Sequence, residues 1–599
     1  MIYHCEDHTC NYWDEDEKLP ERCPQCGRKL LRANEADMTG DDWTALGNTL
    51  WDAEASDKKR MVDCFRKAAY LGSAWGVCNL GICMEQGNGV EADPVQAFWL
   101  YQQAVEMGSL NAVCCLGVCY QYGIGTAPDA KQAAELYCKA AEYGSPRGQM
   151  LLAHAFHDGI GVEADAAEAV HWVRAAAYQR YGEGMYWLGV CYEYGDGVEQ
   201  NWERAVHWFR EAAESGVSAA MTDLGYCYEK GCGVEQSWEQ AFSWYRRGAE
   251  CGNPVSMSNL GLCYQRGYGV EQNLQEAIKW YEQGAQCGDL QSMHNLACCY
   301  ERGEGVEQNE DRAFYWYRRS AEGGHGSAMC NLGRCYKRGY GVEQNWQEAV
   351  KWYEQGAQCG NLQSMHNLAC CYERGEGVEQ NMTEAIRWYT AAAEGGNADD
   401  MYNLGWQYDH GEGVEQDMKK AICWYERAAE QNHPAAMNSL GECYAMGQGV
   451  PRDLETAMEW YRRAAELGEA MADYNMGWHL EQAGKLSEAY AHYRKAADGN
   501  DDSAWWALGR FYENGVVVAQ DGKEARRCYE TGEKLGSVKC KMRLARCKLL
   551  GIGGRRAKNA GLDLCRQALE LAKESSEKED YGYEAEMNLL RRTIAENES

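Results

Sequence analysis

The feature that most constrains this chain is a short Gly-x-Gly loop, usually followed by Val, that returns every 36 residues. Its first glycine lies at Gly87, Gly123, Gly159, Gly195, Gly231, Gly267, Gly303, Gly339, Gly375, Gly411 and Gly447. A fixed period of this length is typical of repeat proteins, in which each unit packs only against its neighbours. The sequence therefore predicts a solenoid rather than one compact core, for which 599 residues would be too many.

One unit, residues 253–288, indicates how each repeat folds. Asn253-Pro254 predicts the start of a first helix, because it combines a capping side chain with proline at the first helical position. Gly267 predicts a left-handed helix end, and Asn273 predicts the cap of a second helix. Apolar residues at helical spacing give each helix one buried stripe: Met257, Leu260 and Tyr264 in the first, Ala277, Trp280 and Tyr281 in the second. Two such short helices bury their apolar faces only by stacking on neighbouring pairs.

Two columns of the repeat predict buried contacts. One column is cysteine: Cys83, Cys119, Cys191, Cys227, Cys263, Cys299, Cys335, Cys371 and Cys443. Equivalent atoms of stacked helices lie ~8–10 Å apart, too far for a disulfide, so we expect buried free thiols. The other column is tryptophan: Trp172, Trp208, Trp244, Trp280, Trp316, Trp352, Trp388, Trp424 and Trp460. It predicts packing between repeats rather than a ligand site.

The first 37 residues differ in composition and contain Cys5, His8, Cys10, Cys23 and Cys26. Cys23-Pro-Gln-Cys26-Gly is a knuckle whose two thiolates can face one metal ion. The segment resembles zinc ribbons, in particular the rubredoxin-like module of rubrerythrins, which implies a metal site formed by the four cysteines. The wider spacing of Cys5 and Cys10 leaves His8 as an alternative ligand. Because the paired Glu-x-x-His helices of that family are absent, we expect structural zinc, with iron as the alternative.

The repeat carries a second resemblance. Its pattern, Ala-Met-x-x-Leu-Gly-x-x-Tyr-x-x-Gly-x-Gly-Val…Ala-x-x-Trp-Tyr-x-x-Ala-Ala, is similar to the Sel-1-like repeat, a relative of the tetratricopeptide repeat, over about fifteen units. The resemblance implies an α/α superhelix that scaffolds protein complexes or binds peptides in a concave groove. The predicted fold is thus an all-α solenoid of helix-turn-helix repeats at 38–555, preceded by a small β-type zinc ribbon at 1–37 and followed by a helical cap at 556–599.

Charge and hydropathy indicate which classes of partner and which compartment the chain favours. Lys plus Arg is 59 and Asp plus Glu is 91, giving a net charge of −32, which repels nucleic acid and anionic lipid. A neutral to basic protein or peptide is the partner that this charge favours. No run approaches the ~18 apolar residues of a membrane helix, and the start, Met1-Ile-Tyr-His-Cys, lacks a secretory h-region. We therefore expect a cytoplasmic protein without membrane contact.

The candidate binding residues come from three columns of the first helix that vary while their neighbours stay fixed. The columns are spaced i, i+4 and i+7, so they are expected to share one exposed face. The residues selected from them are Tyr186, Tyr226, His294, Arg334, His366, Tyr402, Trp406 and Asp409. Tyr402 and Trp406, one turn apart, predict an exposed aromatic pair with Asp409 below, and aromatics are frequent at binding hot spots. The alternative is that solvent-facing columns simply vary.

Motifs for catalysis are missing from the sequence. The Gly-x-Gly loops follow helices rather than strands, and neither a P-loop nor a Gly-x-Ser-x-Gly elbow occurs. His154 and His157, with Asp158 beside them, form only a weak metal motif. The leading hypothesis is a non-enzymatic scaffold that binds a protein segment in its groove. The alternative is a metal- or redox-responsive adaptor in which the N-terminal cysteines hold iron or sense metal.

Overall fold

The computed structural model describes residues 2–5, 13–14, 30–33, 38–51, 55–578 and 583–598. Three short strands stand at the beginning: β1 Ile2–Cys5, β2 Trp13–Asp14 and β3 Leu30–Ala33. They form an antiparallel sheet of order β2-β1-β3, in which Tyr3 pairs with both Asp14 and Arg32. The remaining elements are helices, in two compact units, residues 1–309 and 310–599.

Unit 1 alternates two kinds of helix. The first helices of its repeats are α1 Gly40–Thr49, α3 Ala74–Gln86, α5 Leu110–Tyr122, α7 Pro146–Asp158, α9 Gly182–Tyr194, α11 Ser218–Lys230, α13 Pro254–Arg266 and α15 Leu290–Arg302. The second helices are α2 Ala55–Tyr70, α4 Pro94–Glu106, α6 Ala130–Glu142, α8 Ala166–Tyr178, α10 Trp202–Glu214, α12 Trp238–Glu250 and α14 Leu274–Gln286.

Unit 2 follows the same alternation. Its first helices are α17 Gly326–Arg338, α19 Leu362–Arg374, α21 Ala398–His410, α23 Pro434–Met446, α25 Ala470–Gln482, α27 Asp502–Asn514 and α29 Val538–Leu550. Its second helices are α16 Glu310–Glu322, α18 Trp346–Gln358, α20 Met382–Glu394, α22 Met418–Glu430, α24 Leu454–Glu466, α26 Leu486–Asp498, α28 Gly522–Lys534 and α30 Lys558–Lys578. The last helix is α31 Glu584–Glu598.

Within each unit, a first helix packs against the second helix that follows it and against the second helix that precedes it. Successive first helices also touch, as α5 touches α7 and α7 touches α9. Every hairpin therefore covers the apolar faces of its neighbours, and the prediction of an all-α solenoid of helical repeats is confirmed.

The helix ends follow the predicted chemistry. The Asn253 side chain accepts a hydrogen bond from the N–H of Ser256, and Pro254 stands in the first turn. Gly267 ends α13 in the left-handed conformation with φ 74°, and its N–H donates to the carbonyl of Cys263. The side chain of Asn273 caps α14 through the N–H of Glu276. These predictions for one unit are confirmed.

The second glycine of the loop has a different role, which Gly269 illustrates. Its φ is 68°, and a Cβ on it would lie 2.1 Å from the carbonyl oxygen of Trp238, at the start of α12. Both the conformation and the space therefore require glycine. The loop after each first helix is held directly against the preceding hairpin, which fixes how the repeats stack.

The centre of most repeats is a tyrosine rather than the tryptophan beside it. The tryptophans of the predicted column pack against the core but are mostly half-buried, as Trp172 and Trp208 are. The following position is fully enclosed: Tyr101, Tyr137, Tyr245, Tyr281, Tyr317, Tyr353, Tyr425, Tyr461, Tyr493 and Tyr529 are the largest of these side chains. All nine predicted thiols are buried, and the described cysteines from Cys64 to Cys565 form no disulfides. The prediction of buried thiols without disulfides is confirmed.

The chain ends in two helices without the loop motif. α30 packs against α29 as the second helix of a hairpin, so position 555 falls between the two helices of that hairpin. α31 contacts both of them, and its Glu586 accepts two hydrogen bonds from Arg543 of α29 at 2.6 and 2.7 Å. Both side chains are largely buried, so the pair holds α31 against the last repeat.

Candidate functional site

The three variable columns do not share one exposed face. The first column, to which Tyr186, His294, His366 and Tyr402 belong, is mostly buried. Its other members lie in the interior: Cys78, Cys114, Met150, Thr222, Ser258 and Cys330. The second column reaches the surface, where Tyr226 is 43% exposed and Trp406 is 38% exposed. The prediction of exposure is therefore wrong for the first column, because those residues face the neighbouring first helix. Tyr186, His294, His366 and Tyr402 in that column are half-buried, as is Arg334 in the second.

The third column has a structural function. Its side chains accept hydrogen bonds from the buried tyrosine hydroxyl of the same repeat. The observed pairs are Tyr101–Glu85, Tyr137–Gln121, Tyr245–Glu229, Tyr281–Gln265, Tyr389–Glu373, Tyr425–Asp409 and Tyr529–Glu513. Asp409, one of the predicted binding residues, is thus the acceptor of Tyr425 at 3.2 Å. We call this third column the acceptor position. We call the column of buried tyrosines on the second helices the tyrosine position.

The predicted aromatic pair is divided between two histidines. The ring of Tyr402 stacks on His433, with centroids 4.9 Å apart. The ring of Trp406 stacks on His410, with centroids 4.3 Å apart. His366 and Trp406 also line a cavity of about 290 Å³ in unit 2. Binding of a partner by the predicted residues stays a prediction.

A cavity of unit 1 lies at a repeat that lacks the central ring. Val173 of α8 occupies the tyrosine position, and an open-sided cavity of about 630 Å³ extends from it between α5, α7, α8 and α9. Its apolar walls are Val118, Leu151, Ile160, Val170, Val173 and Val190. The volume lies within the range of pockets that bind a small molecule or an anchoring side chain.

A polar cluster forms the rim of this cavity. His157 stands at the acceptor position, where no tyrosine hydroxyl needs an acceptor. Its Nδ1 lies 2.7 Å from Asp158 Oδ1, and its Nε2 lies 3.2 Å from Asp196 Oδ2. The hydrogen bond with Asp158 raises the pKa of His157, although burial opposes this shift. The three side chains are exposed, so the rim carries net negative charge beside an apolar interior.

Aromatic side chains frame the opening. The ring of Trp187 meets His154 edge to face, with centroids 5.4 Å apart, and Tyr122 and Tyr194 lie nearby on the lining. The Nε2 atom of His154 is buried and has no hydrogen-bond partner among the described residues. An unused polar atom in an apolar wall fits a cavity that receives a polar group from outside.

The sequence contains a signal for this cavity that the interpretation of His154 and His157 as a metal pair does not use. Of the eight predicted binding residues, only Tyr186 lies in a neighbouring repeat. The informative residues are Val173, which replaces the tyrosine, and His157, which replaces its acceptor. The two substitutions belong together because an acceptor is needed only where a hydroxyl is buried.

Metal sites receive no support from the described residues, among which no cluster of His, Cys, Asp and Glu could hold an ion. The predicted N-terminal ligands are not covered by that statement. His8, Cys10, Cys23 and Cys26 lie outside the described residues, and Cys5 is described only as the end of β1. Zinc or iron at these ligands stays a prediction, which elemental analysis and a visible absorption spectrum would decide. Within the described part of the chain, none of the helices has the length and apolar character needed to cross a membrane.

Comparison with known proteins identifies the repeat. The Sel1 repeat model matches residues 76–109, 112–145, 146–181, 182–217, 218–253, 254–289, 290–325, 326–361, 362–397, 398–433, 434–469, 470–501 and 504–537. No curated protein matches the chain.

Two solved structures are similar. One is c5321, a protective antigen present in uropathogenic Escherichia coli strains that displays an SLR fold. It is 32% identical over 75% of this chain and 97% of its own, with a TM-score of 0.52. The other is a Sel1 repeat protein from Oxalobacter formigenes, 33% identical over 41% of this chain and 96% of its own, with a TM-score of 0.38. With the repeat matched over most of its length, the chain belongs to the Sel1 repeat family.

Proposed function

We propose that this protein is a binding scaffold that captures a protein segment on the first-helix side of unit 1, with an apolar side chain of the partner seated in the cavity at Val173. Solenoids of the Sel1 type are typical protein–protein interaction scaffolds and are generally non-catalytic. The observation that carries the proposal is the cavity itself, which is open to solvent and lined by six aliphatic side chains. Its mechanism is binding alone.

The apolar walls provide the affinity. Burying one large aliphatic or aromatic side chain contributes about 1.5–3 kcal/mol, because its surface leaves water. Anchors of this kind are strongest where the surrounding residues exclude solvent, and Trp187 and Tyr122 stand at the border of the cavity. A partner segment that places one such side chain between α7 and α9 would bury it against three consecutive repeats.

The carboxylates select the charge of the partner. Asp158 and Asp196 flank His157, so the rim keeps a negative charge even when the imidazole is protonated. The net charge of −32 adds long-range attraction for cations and repulsion of anions. The expected partner segment therefore has a lysine or arginine next to its apolar anchor, in line with the predicted preference for neutral to basic partners.

The test uses a phage-displayed library of random peptides selected on the full chain. The affinity of a selected peptide is then measured by fluorescence anisotropy for the wild type and for Val173→Tyr, which restores the usual ring. Ala369 packs with Tyr389 in another repeat, so an alanine at the position of Ala153 is compatible with that ring. We expect binding to weaken at least about tenfold, the loss of ~1.4 kcal/mol.

The matched control is Phe209→Tyr, which adds only a hydroxyl to a repeat that already has its ring. It should leave the affinity unchanged. Peptides that lack an apolar residue, or that bind Val173→Tyr as tightly as the wild type, would contradict the proposal. Selected peptides that instead lose affinity with Trp406→Ala would place the binding surface at the residues predicted from the sequence.

A further inference from the structure

Two residues of α21 break the pattern of the repeat at buried positions. Asp400 stands where the other repeats have small residues: Gly76, Ala112, Gly148, Gly184, Ala220, Ser256, Ser292, Ala328, Ser364, Ala436, Ala472, Ala504 and Cys540. Gln407 stands in the column of buried thiols, between Cys371 and Cys443. Asp400 is 0% exposed and Gln407 is 2% exposed. Neither polar group is needed to build the repeat.

Both side chains leave a polar atom unused. Asp400 Oδ2 and Gln407 Oε1 are buried and have no hydrogen-bond partner among the described residues. A buried polar atom without a partner destabilises the fold, because it has lost its hydrogen bonds to water. Stability therefore does not explain why a carboxylate and an amide occupy these positions. Unsatisfied groups of this kind are concentrated at functional sites.

The carboxylate of Asp400 is the first member of a connected line of side chains. Its Oδ1 lies 2.7 Å from Nδ1 of His366, whose Nε2 lies 3.6 Å from Sγ of Cys370. The hydroxyl of Tyr389 lies 3.3 Å from the same sulfur. His366 and Cys370 are one turn apart on α19, so the helix itself holds the imidazole beside the thiol.

The charges within this line favour a thiolate. The hydrogen bonds with Asp400 and Cys370 raise the pKa of His366 to about 10, so the imidazole is protonated at neutral pH. Burial opposes ionisation of Cys370, but the hydrogen bond from His366 and the positive charge of its imidazole lower the pKa of the thiol. The remaining charged groups around the sulfur are Glu373 and Arg374 of α19.

A cavity gives access to the sulfur. It measures about 290 Å³ and is lined by His366, Cys370, Glu373, Arg374, Tyr389, Asn403, Trp406 and Gln407. Most of these side chains are polar, and several carry N–H or O–H donors. A small polar molecule fits this lining, whereas an aliphatic chain would leave the polar groups without partners. Gln407, with its unused oxygen, is part of the wall.

We propose that Cys370 is a nucleophilic thiolate, positioned by His366 and Asp400, that is oxidised by a small hydroperoxide in this cavity. The sulfur attacks the terminal peroxide oxygen, the S–O bond forms and the O–O bond breaks. The departing alkoxide, or hydroxide when the oxidant is hydrogen peroxide, takes the proton from Nε2 of His366 and leaves as the alcohol or as water. Sulfur is oxidised by two electrons to sulfenic acid and the peroxide is reduced by two. Asp400 is a positioning residue, which orients the imidazole and stabilises its charge.

The chain contains a nearly identical second copy of this helix. Residues 280–302 differ from 352–374 only at Asp289, which replaces Asn361. His294 and Cys298 repeat the His366–Cys370 pair, with 3.6 Å between Nε2 and Sγ. The position that corresponds to Asp400 is Ala328, which has no carboxylate. Cys298 is therefore an internal control with the same neighbours in its own helix.

The experiment treats the full chain with hydrogen peroxide at pH 7, traps sulfenic acid with dimedone and quantifies the labelled cysteines by mass spectrometry. The tryptic peptides 280–302 and 352–374 are separated by their Asp/Asn difference, and fragment ions distinguish Cys370 from Cys371. We expect Cys370 to be labelled at least about tenfold faster than Cys298, since one pKa unit changes the thiolate fraction tenfold. Its rate should also fall less steeply from pH 8 to pH 6 than the rate at Cys298, because the pKa of Cys370 is lowered.

Asp400→Ala supplies the decisive variant, because alanine occupies this position in several other repeats and the fold should tolerate it. It should lower the labelling rate of Cys370 to that of Cys298 and restore the pH dependence of an ordinary thiol. Equal labelling of the two cysteines in the wild type would overturn the proposal. An unchanged rate in Asp400→Ala, with an unchanged circular dichroism melt, would do the same for the positioning role.

Discussion

The hairpins α7/α8 and α11/α12 of unit 1 have helices of the same length and the same glycine ending, but their centres differ. In α11/α12 the ring of Tyr245 packs against Gly225, and its hydroxyl donates to Glu229 at 2.8 Å. In α7/α8 the corresponding tyrosine is Val173, and His157 replaces the acceptor. One hairpin is filled and the other opens into a cavity of about 630 Å³.

The frame of a repeat, meaning its helix ends and loop contacts, is therefore determined separately from its contents, meaning the side chains at its centre. Caps and left-handed glycines fix the helix ends, and the loop glycine at Gly269 fixes the distance to the previous hairpin. Because these contacts do not involve the central ring, losing the ring leaves an open space rather than a collapsed hairpin. A departure from the repeat pattern therefore indicates function at that position.

The largest expected effect comes from emptying a filled hairpin. Tyr245→Val removes a fully buried ring and takes away the hydroxyl that donates to Oε2 of Glu229. We expect the free energy of local unfolding to fall by about 3 kcal/mol, close to the cost of other large-to-small core substitutions. Hydrogen exchange of the α11 and α12 amides measures it. Tyr226→Val removes a partly exposed ring from the same hairpin, and a loss as large as that of Tyr245→Val would show that the central ring is not special.

The second prediction concerns the hairpin α21/α22, which keeps its central ring but carries the buried polar side chains Asp400 and Gln407. In the wild type the pKa of His366 is raised to about 10, first by its hydrogen bond with Asp400. Because the folded value exceeds the ordinary 6.5, this pair stabilises the fold fully below about pH 6.5, and the contribution is lost as pH rises through 10. In Asp400→Ala the pKa should fall towards 6.5. NMR of the His366 ring should show titration between pH 5 and 8 only in the variant.

The frame could be predicted from the sequence because it depends on local chemistry that recurs in each unit. Asn253, Gly267 and Asn273 each act on a neighbouring backbone group, so one unit was enough to place the helix ends. The buried thiols were also predictable, since their column is nearly invariant. These features are set by contacts within a repeat or with the next one.

The binding residues were harder to predict because variability alone does not separate surface from interior. Tyr402 varies within its column yet packs on His433, and the position of Asp409 varies because a tyrosine hydroxyl can donate to a carboxylate or to an amide oxygen. The useful signal is a pair of positions that depart from the repeat pattern together, as Val173 and His157 do. This signal can be recognised only once it is known that the two positions are in contact. That knowledge came from the structure.

Refilling the open hairpin should have a moderate effect. Val173→Phe places a ring in the cavity without a hydroxyl that needs an acceptor. We expect the stability of α7 and α8 to rise by about 1 kcal/mol, in the range of other cavity-filling substitutions. Hydrogen exchange of their amides measures the gain. A loss of stability would mean that the cavity walls have moved inward, and the separation of frame and contents would not hold for this repeat.

The smallest effect tests the hydroxyl by itself. Phe209 is a ring at the tyrosine position that lacks a hydroxyl, and burial, with a further contribution from Asp223, raises the pKa of the neighbouring Glu193. Phe209→Tyr should donate to Glu193 and stabilise the hairpin α9/α10 by about 0.5–1.5 kcal/mol at pH 7, the usual net value of one hydrogen bond.

The pH dependence decides whether that gain comes from the hydrogen bond. The pKa of Glu193 is raised in the folded state, so the wild type becomes more stable as the pH falls through that pKa. A hydrogen bond donated to the carboxylate favours its charged form and should therefore reduce this gain. In a Glu193→Gln background the hydroxyl still has an acceptor, as Tyr281 has in Gln265 at 2.9 Å. Urea unfolding should then show the same stabilisation by Phe209→Tyr at every pH. A stabilisation that still varied with pH in that background would assign the effect to a group other than Glu193.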